Sequence, residues 1–360
     1  MIRWRKGEVV RIRREWPGAV ELDVAVPEGP CRALAYPALV GRPEPGDEVL
    51  LNTTALAMGL GTGGYAMVVA VPNRFPEDPQ GPGHLVKARY TPMQATVLGA
   101  DEQDSPHHEV LREADSVDGM PVVVADLHSA LPPILCGLYE AVPGGADGGV
   151  RVAYVMQDGG ALPAWFSMAC AMLREAGWLA GVVTIGQAFG GDVEAVTTHT
   201  GLLAARHVLE ADVAIVTQGP GNLGTGTRWG FSGVSAGEAV NAAAVLLGRP
   251  VAALRVSEGD RRERHLGVSH HSLTAYGRVA LARAHVPVPL LPGDFGERVR
   301  DQAELLAVRH ELVPVPVDGL HEALRASPVR LSTMGRGLEE DLAYFLASAA
   351  AGRFAASLLS

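Results

Sequence analysis

The sequence predicts an α/β fold in which a doubly wound, mainly parallel sheet follows a small N-terminal all-β, barrel-like module. Two observations lead to this prediction. From residue 119 onward, apolar runs alternate with helical segments, and continuous apolar strands separated by helices indicate a parallel sheet covered on both faces. Before residue 98 the apolar runs are short and are separated by turns rich in Gly and Pro, as in small barrels or sandwiches.

The predicted β module spans residues 1–98. Leu22, Val24 and Val26 alternate with polar or small neighbours, and a turn at residues 43–47 precedes the next short strand. A period of two places one face of such a strand in a core. The sequence of this module does not indicate its function.

The predicted α/β domain spans residues 99–318 and carries the expected site. Its strand candidates are residues 121–125, 150–156, 181–185, 213–217 and 251–256, and its helix candidates are residues 131–142, 163–176, 201–210 and 235–247. This alternation is typical of a doubly wound sheet. Residues 319–360 are predicted to form helices that pack either on the core or on a partner subunit, and in the second case the protein is a homo-oligomer.

Composition narrows the class of partner. The formal charge is -10, which argues against a general nucleic-acid binder, because such proteins need a basic face. The longest apolar stretch, residues 342–359, is broken by Arg353 and does not resemble a membrane span. The scattered Cys31, Cys136 and Cys170 fit reduced core thiols. We therefore expect a cytoplasmic protein with a small-molecule ligand, no nucleic-acid partner and no membrane association.

Polar loops follow the predicted strands, whereas most turns from helix into strand are short. The loops after the strands are residues 126–129, 157–160, 186–192, 218–233 and 257–272. In an open parallel sheet, ligands bind outside the carboxyl ends of the strands. We therefore expect these loops to form a site at one edge of the sheet.

Two glycine patterns resemble phosphate-binding motifs but stand in the wrong context. Residues 59–64 precede a strand-like run rather than a helix, which favours a hairpin. Residues 219–224 follow a strand, but the next helix begins only near residue 235, and the overlapping loop lacks a phosphate-loop lysine. The backbone N–H groups of this loop could still bind an anion. The alternative is that the loop is purely structural and that its glycines only allow tight turns. The candidate ligand-binding residues are Gly221, Asn222, Gly224, Thr225, Gly226 and Thr227.

Ser235 has two interpretations. The string GVSAG at residues 233–237 matches the nucleophile-elbow pattern of serine hydrolases, but no strand immediately precedes it. Ser235 and Glu238 also have the spacing of a capping box. We favour the helix cap over the nucleophile.

Three polar residues stand directly after strands. Asp126 and His128 are candidate catalytic residues, because a carboxylate and an imidazole at a strand end can bind a metal or act as a base and its partner. The equally weighted alternative is that Asp126 caps the next helix and His128 is a satisfied polar residue. Asp158, which precedes two glycines, is a candidate ligand-binding residue, although an Asp-Gly turn needs no ligand.

Residues 255–271 hold the densest group of charged side chains. Their arginines could hold a phosphate or a carboxylate, and their histidines could transfer protons or ligate a metal. A solvated charged loop is the alternative, but adjacent histidines are unusual for one, so we favour a functional role. The candidates are His270, His271 and Asp260 as catalytic residues and Arg255, Arg262, Arg264 and His265 as ligand-binding residues.

A divalent-metal site is a separate hypothesis, with His128, His199 and His270 as ligands. None of these histidines has a diagnostic spacing such as HExxH, and the cysteines do not contribute. The sequence therefore assigns neither a metal nor a cofactor.

Three strings resemble a known family. QDGGALP at residues 157–163, QGPGNLGTGTRWGFSG at residues 218–233 and RVSEGDRRERHLGVSHHSLTA at residues 255–275 are similar to the bacterial family catalogued as domain of unknown function 3866. The similarity spans most of the chain. The resemblance implies a bacterial origin and supplies neither a mechanism nor a catalytic residue.

The preferred functional hypothesis is an enzyme, a hydrolase or transferase, that acts on a small anionic or phosphorylated metabolite. The loop at residues 221–227 and Arg262 or Arg264 would hold the anion, and His270 or His271 would be the acid–base group, oriented by Asp126 or Asp260. A non-catalytic ligand sensor and a metal-dependent hydrolase are the two alternatives.

Overall fold

The computed structural model describes residues 1–60 and 63–359, and the chain forms two compact units. Unit 1 comprises Met1–Val97 and Trp165–Ala171, and unit 2 comprises Leu98–Ala164 and Met172–Ser360. The glycine pattern at residues 59–64 includes Gly61 and Thr62, which lie outside the described residues.

Unit 1 contains a closed barrel of five strands in the order β1-β2-β3-β5-β4. β3 and β5 pair in parallel, and the other neighbours are antiparallel. The elements of this unit are β1 (Trp4–Trp16), β2 (Ala19–Val26), β3 (Gly29–Ala35), α1 (Pro37–Val40), β4 (Glu48–Asn52), α2 (Thr54–Ala57), β5 (Ala66–Ala70), β6 (Leu85–Lys87) and β7 (Ala95–Val97). The predicted N-terminal barrel is therefore confirmed.

The barrel core is built by alternating side chains. Leu22 and Val24 of β2 are fully buried and pack with Val49 and Leu51 of β4 in one apolar cluster. Alternation along a strand places every second residue on the inner face. The apolar pattern of β2 that is visible in the sequence is thus the inner face of the barrel.

Unit 2 is built on one parallel sheet of eight strands, in the order β11-β10-β9-β12-β8-β13-β16-β17. Its strands, together with two short antiparallel pairs, are β8 (Pro121–Val124), β9 (Val152–Gln157), β10 (Gly181–Thr184), β11 (Val193–Glu194), β12 (Val213–Gln218), β13 (Arg249–Ala252), β14 (Val256–Ser257), β15 (Gly267–Val268), β16 (His285–Pro289), β17 (Glu311–Val315), β18 (Ser332–Thr333) and β19 (Arg336–Gly337).

Helices cover both faces of this sheet. α11 packs on α4 and β8, whereas α7 packs on α6 and on the same β8 strand from the other face. The helices from residue 98 onward are α3 (His108–Arg112), α4 (Leu131–Ala141), α5 (Met168–Glu175), α6 (Thr198–His207), α7 (Ser235–Val245), α8 (His270–Thr274), α9 (Gly293–Ala303), α10 (Leu320–Arg325) and α11 (Leu342–Ser357). The predicted doubly wound α/β sheet is confirmed. Among the described helices, none combines the length and the apolar character needed to span a bilayer.

Glycines allow α4 and α11 to approach each other closely. A Cβ atom at Gly137 would lie 1.9 Å from the carbonyl oxygen of Ala349, and one at Gly352 would lie 1.8 Å from that of Ile134. Both distances are far below van der Waals contact, so a side chain at either position would separate the helices.

The sheet has more strands than the sequence pattern predicts. β16 and β17 contain prolines, at Pro287, Pro289 and Pro314, and proline argues against a strand assignment because it lacks an N–H donor. The prolines of β16 are tolerated because its pairing with β13 is limited to His285 and Val251. The predicted helix at residues 163–176 begins later, at Met168. The predicted strand at residues 251–256 ends at Ala252.

Near the middle of the sheet, neighbouring strands are followed by connections that run toward opposite edges of the sheet. The neighbours β8 and β13 are followed by connections that lead toward opposite edges, and so are the neighbours β9 and β12. Loops diverge at the carboxyl ends of such strand pairs and leave a crevice between them. The fold therefore places a crevice beside the ends of β8, β9, β12 and β13.

Candidate functional site

Polar side chains from several strand ends meet at this crevice. Gln218, the last residue of β12, donates from Nε2 to the backbone oxygen of Asp126 at 2.7 Å. Ser235 donates from Oγ to Oε1 of Gln157, the last residue of β9, at 3.0 Å. A Cβ atom at Gly233 would lie 2.9 Å from that of Asp126. The loops after β8, β9 and β12 are therefore in mutual contact.

A buried group of three charged or ionisable side chains joins β8 to the segment after β13. Nδ1 of His271 lies 3.2 Å from Oδ2 of Asp126 and 3.1 Å from Nη1 of Arg255. The same Nη1 lies 3.5 Å from Oδ2 of Asp126. These side chains are almost completely excluded from solvent. Asp126 is thus the buried counter-charge of Arg255 and the partner of His271.

The proton on His271 follows from this geometry. Nδ1 cannot both donate to Asp126 and accept from Arg255, and we assign the proton to Nδ1 because a charge-assisted bond to a carboxylate is the stronger one. Burial alone would raise the pKa of Asp126, but the hydrogen bond from His271 and the charge of Arg255 outweigh it and lower that pKa. The Nε2 atom of His271 is then left with a free lone pair.

His265 is fixed in the same manner by a serine. Its Nδ1 lies 2.7 Å from Oγ of Ser269, which also accepts a hydrogen bond from the backbone N–H of His271 at 3.2 Å. Ser269 is fully buried and follows directly after β15. Because Nδ1 of His265 is engaged by this serine, the nitrogen of His265 that remains available is Nε2.

His265, His270 and His271 form a cluster, which we call the histidine cluster. One ring nitrogen of each lies within 4.8 Å of those of the other two. Nε2 of His270 is buried and, among the described residues, has no hydrogen-bond partner. Buried polar atoms are normally satisfied by a partner, and a ring nitrogen of a histidine is an atom that can ligate a metal ion.

Two histidines of this cluster, His265 and His270, are held in the neutral state. Burial, followed by the charge of Arg255, lowers the pKa of His265 to about 3. Burial and the neighbouring His271 lower the pKa of His270 to about 4. Neutral imidazole is the form that ligates metal ions, because its free nitrogen keeps the lone pair.

The donor set fits a divalent transition metal, and zinc best. Three imidazoles with an open fourth position are a catalytic zinc arrangement, and tetrahedral Zn–N bonds of about 2.0–2.1 Å require the nitrogens to lie roughly 3.3 Å apart. Asp126 supplies the carboxylate that commonly orients a zinc-bound histidine through its other nitrogen.

The long loop after β12 contacts the histidine cluster through Phe231. The ring of Phe231 is stacked on that of His271, with centroids 3.7 Å apart and planes 5° apart. Phe231 is buried and belongs to the string at residues 218–233 that the sequence singles out. The two predicted segments therefore do meet, through an aromatic residue that the sequence analysis did not select.

The Gly/Thr loop itself is exposed and folded on its own backbone. The backbone N–H of Thr225 donates to the carbonyl of Gly230, the N–H of Gly230 donates to Oγ1 of Thr227, and the two threonine hydroxyls lie 3.1 Å apart. Gly221 and Gly226 adopt left-handed φ angles of 93° and 81°, which favour glycine. The candidates Asn222 and Gly224 also lie in this loop, where Asn222 accepts a hydrogen bond from Gln218.

Asp260 and Arg262 form an ion pair with each other. Arg262 donates to both carboxylate oxygens of Asp260, at 2.9 and 2.7 Å. This bond, despite the opposing effect of burial, holds the pKa of Asp260 far below its usual range. Arg336 approaches Asp260 at 3.5 Å and donates to Asp341. Of the two carboxylates proposed to orient a catalytic histidine, it is therefore Asp126 that bonds His271, whereas Asp260 bonds an arginine.

His128, Asp158 and His199 lie outside the histidine cluster. Nδ1 of His128 contacts the hydroxyl of Tyr154 at 2.9 Å, and burial lowers the pKa of His128 to about 4. Asp158 accepts a hydrogen bond from the backbone N–H of Gln187 at 2.8 Å. His199 is exposed on α6. The metal-ligand set His128, His199 and His270 is thus wrong: across residues 1–60 and 63–359, the histidines that come together are His265, His270 and His271.

Two predicted caps are also wrong. Val234, not Ser235, is the N-cap of α7, because a short 3-10 turn precedes the helix, and Ser235 instead bonds Gln157. Asp126 caps neither the 3-10 turn that begins at His128 nor α4, since its carboxylate turns toward Arg255 and His271. Ser269 and Gln218 are not singled out by the sequence. Gln218 acts through a contact with the distant Asp126, whereas Ser269 acts through local contacts with His265 and His271 that depend on how this segment folds.

Comparison with known proteins gives one match. A family model described as "Protein of unknown function (DUF3866)" matches residues 32–352. No curated protein and no solved structure matches the chain. The matched region includes all three residues of the histidine cluster, together with Asp126 and Arg255.

Proposed function

The chain belongs to the DUF3866 family of proteins of unknown function, and we propose that it is a metal-dependent hydrolase whose divalent ion is held by His265, His270 and His271. One observation supports this most: three imidazoles converge, and the Nε2 atom of His270 is buried without a partner among the described residues.

The surroundings of the histidine cluster support a metal site better than a simple acid–base pair. An acid–base catalyst works best with a pKa near the working pH, whereas the pKa of His270 is lowered to about 4. His265 and His271 each have their Nδ1 engaged by Ser269 and Asp126, which leaves both Nε2 atoms for a shared ligand. This is the arrangement that carboxylates and hydroxyls around metal-binding histidines normally create.

Zinc in such a site acts as a Lewis acid and activates water at neutral pH. The residues of this chain would prepare the site for that chemistry. Asp126 orients His271 through Nδ1, and Phe231 covers one face of the His271 ring. The three histidines leave a fourth tetrahedral position for water or substrate.

A metal-reconstitution assay tests this proposal. The protein is stripped with chelator, reloaded with one equivalent of zinc, manganese or magnesium, and assayed against carboxylic esters, phosphomonoesters and phosphodiesters. We expect one of these classes to be hydrolysed at least about 100-fold faster with zinc than without metal, because catalytic zinc sites depend on the ion for their nucleophile. His265→Ala should lose this activity.

The matched control is His199→Ala, which removes an exposed histidine outside the cluster and should keep full activity. One equivalent of tightly bound zinc without turnover of any substrate class would overturn the hydrolase assignment. Equal loss of activity in the His199 and His265 variants would contradict the assigned ligand set.

A further inference from the structure

The charges around the histidine cluster indicate what kind of substrate it would accept. The proposed ligands are three histidines and include no carboxylate. The buried charge of Arg255 is balanced by Asp126, and the charges of Arg262 and Arg336 are balanced by Asp260 and Asp341. A divalent ion bound here would therefore carry an excess of positive charge, which attracts an anion.

Arg264 is an arginine that lies next to the histidine cluster in the chain. In the part of the chain that the structure describes, Arg264 makes no hydrogen bond or ion pair, and its side chain is exposed. It immediately precedes His265, within the turn Glu263–His265. Arg255 and Arg262, the two other arginines selected from the sequence, are engaged with Asp126 and Asp260. Arg264 is thus the selected arginine whose guanidinium remains available.

The Gly/Thr loop lies next to this free guanidinium. Nη2 of Arg264 is 3.9 Å from the position that a Cβ atom would take at Gly226. Arg264 is therefore next to His265 of the cluster in the chain and close to Gly226 of the exposed loop in space.

We propose that the substrate of this site is a phosphorylated small molecule and that Arg264 is the residue that selects its phosphate group beside the metal. This inference rests on the proposed function, because it concerns the same metal site. Guanidinium groups match the oxygens of a phosphate in bidentate geometry. One phosphate oxygen can then occupy the open metal position while the others accept from Arg264.

Phosphate binding to the zinc-loaded protein tests this inference. Isothermal titration of inorganic phosphate is compared for the wild-type protein, Arg264→Gln and Arg264→Lys, each loaded with one equivalent of zinc. Because Arg264→Gln removes hydrogen bonds from a charged group to the phosphate, it should weaken phosphate binding about 10-fold or more. Arg264→Lys should recover part of the loss, since it keeps the charge but not the fork geometry.

The matched control is Arg261→Gln, which removes another exposed arginine of the same segment and should change the phosphate affinity less than about twofold. Zinc affinity, measured by chelator competition, should be unchanged in Arg264→Gln. Equal phosphate affinity in Arg264→Gln and wild type, or tighter binding of acetate than of phosphate, would overturn the inference. Failure of the wild-type protein to bind zinc would instead overturn the proposed function.

Discussion

Replacing His270 with alanine is expected to weaken zinc binding by more than 100-fold. Loss of a residue that merely orients a metal ligand typically costs about 10–100-fold in affinity, and loss of a ligand should cost more. The Nε2 atom of His270 is buried and unpartnered within the described residues, so the variant removes a nitrogen that makes no other hydrogen bond. The measurement is a competition titration with a chromophoric zinc chelator.

His128→Ala is the matched control for this prediction. His128 is also a histidine near the carboxyl end of β8, but its Nδ1 contacts Tyr154 and it lies outside the histidine cluster. Its replacement should change zinc affinity less than about threefold, well below the effect of losing even an orienting residue. Similar affinities for the His270→Ala and wild-type proteins would show that zinc, if bound, is held elsewhere.

Replacing Asp126 with alanine is expected to destabilise metal-free unit 2 by about 3–5 kcal/mol, because removal of one partner of a buried pair leaves an uncompensated charge. Arg255 is 4% exposed and Asp126 is 4% exposed, so water cannot replace the lost carboxylate. Hydrogen exchange of the backbone amides in β8, β9 and β12 reports the free energy of opening of this sheet. Asp126→Asn, which keeps the shape but not the charge, should show a smaller loss.

Glu109→Ala provides a surface comparison within the same unit. Glu109 pairs with Arg112 on α3 and its side chain is 73% exposed, and such exposed pairs contribute at most about 1 kcal/mol. A loss in Asp126→Ala no larger than that in Glu109→Ala would mean that Asp126 does not balance Arg255 in solution.

The strands that can be predicted from the sequence are those that are buried along their whole length. β8, β9, β10 and β12 are buried along their whole length and appear as uninterrupted apolar runs. β16 and β17 are not predicted, because both contain prolines. Those of β16 are tolerated since β16 pairs with β13 at a single residue pair, and that of β17 is tolerated since β17 is the edge strand of the sheet. β11 has only two residues, too few to produce a period.

From the sequence, the site can be assigned to segments of the chain but not to individual residues. Loop composition directs attention to the carboxyl ends of the strands, and the strand order brings Asp126 next to Arg255 and His271. The sequence does not show which of Arg262 and Arg264 is paired with a carboxylate. The pairing of Arg262 with Asp260 depends on the local fold of the turn at Asp260. The sequence also does not show that His265 lies beside His270 and His271, since that proximity depends on the hairpin of β14 and β15.

The most direct test of the central claim is an anomalous diffraction map recorded at the zinc absorption edge on crystals of the zinc-loaded protein. We predict one peak at about 2.0–2.1 Å from a ring nitrogen of each of His265, His270 and His271, with a fourth position open to solvent. Asp126 should remain bonded to Nδ1 of His271. A map with no peak among these three imidazoles, or with zinc bound only at other residues, would contradict the account.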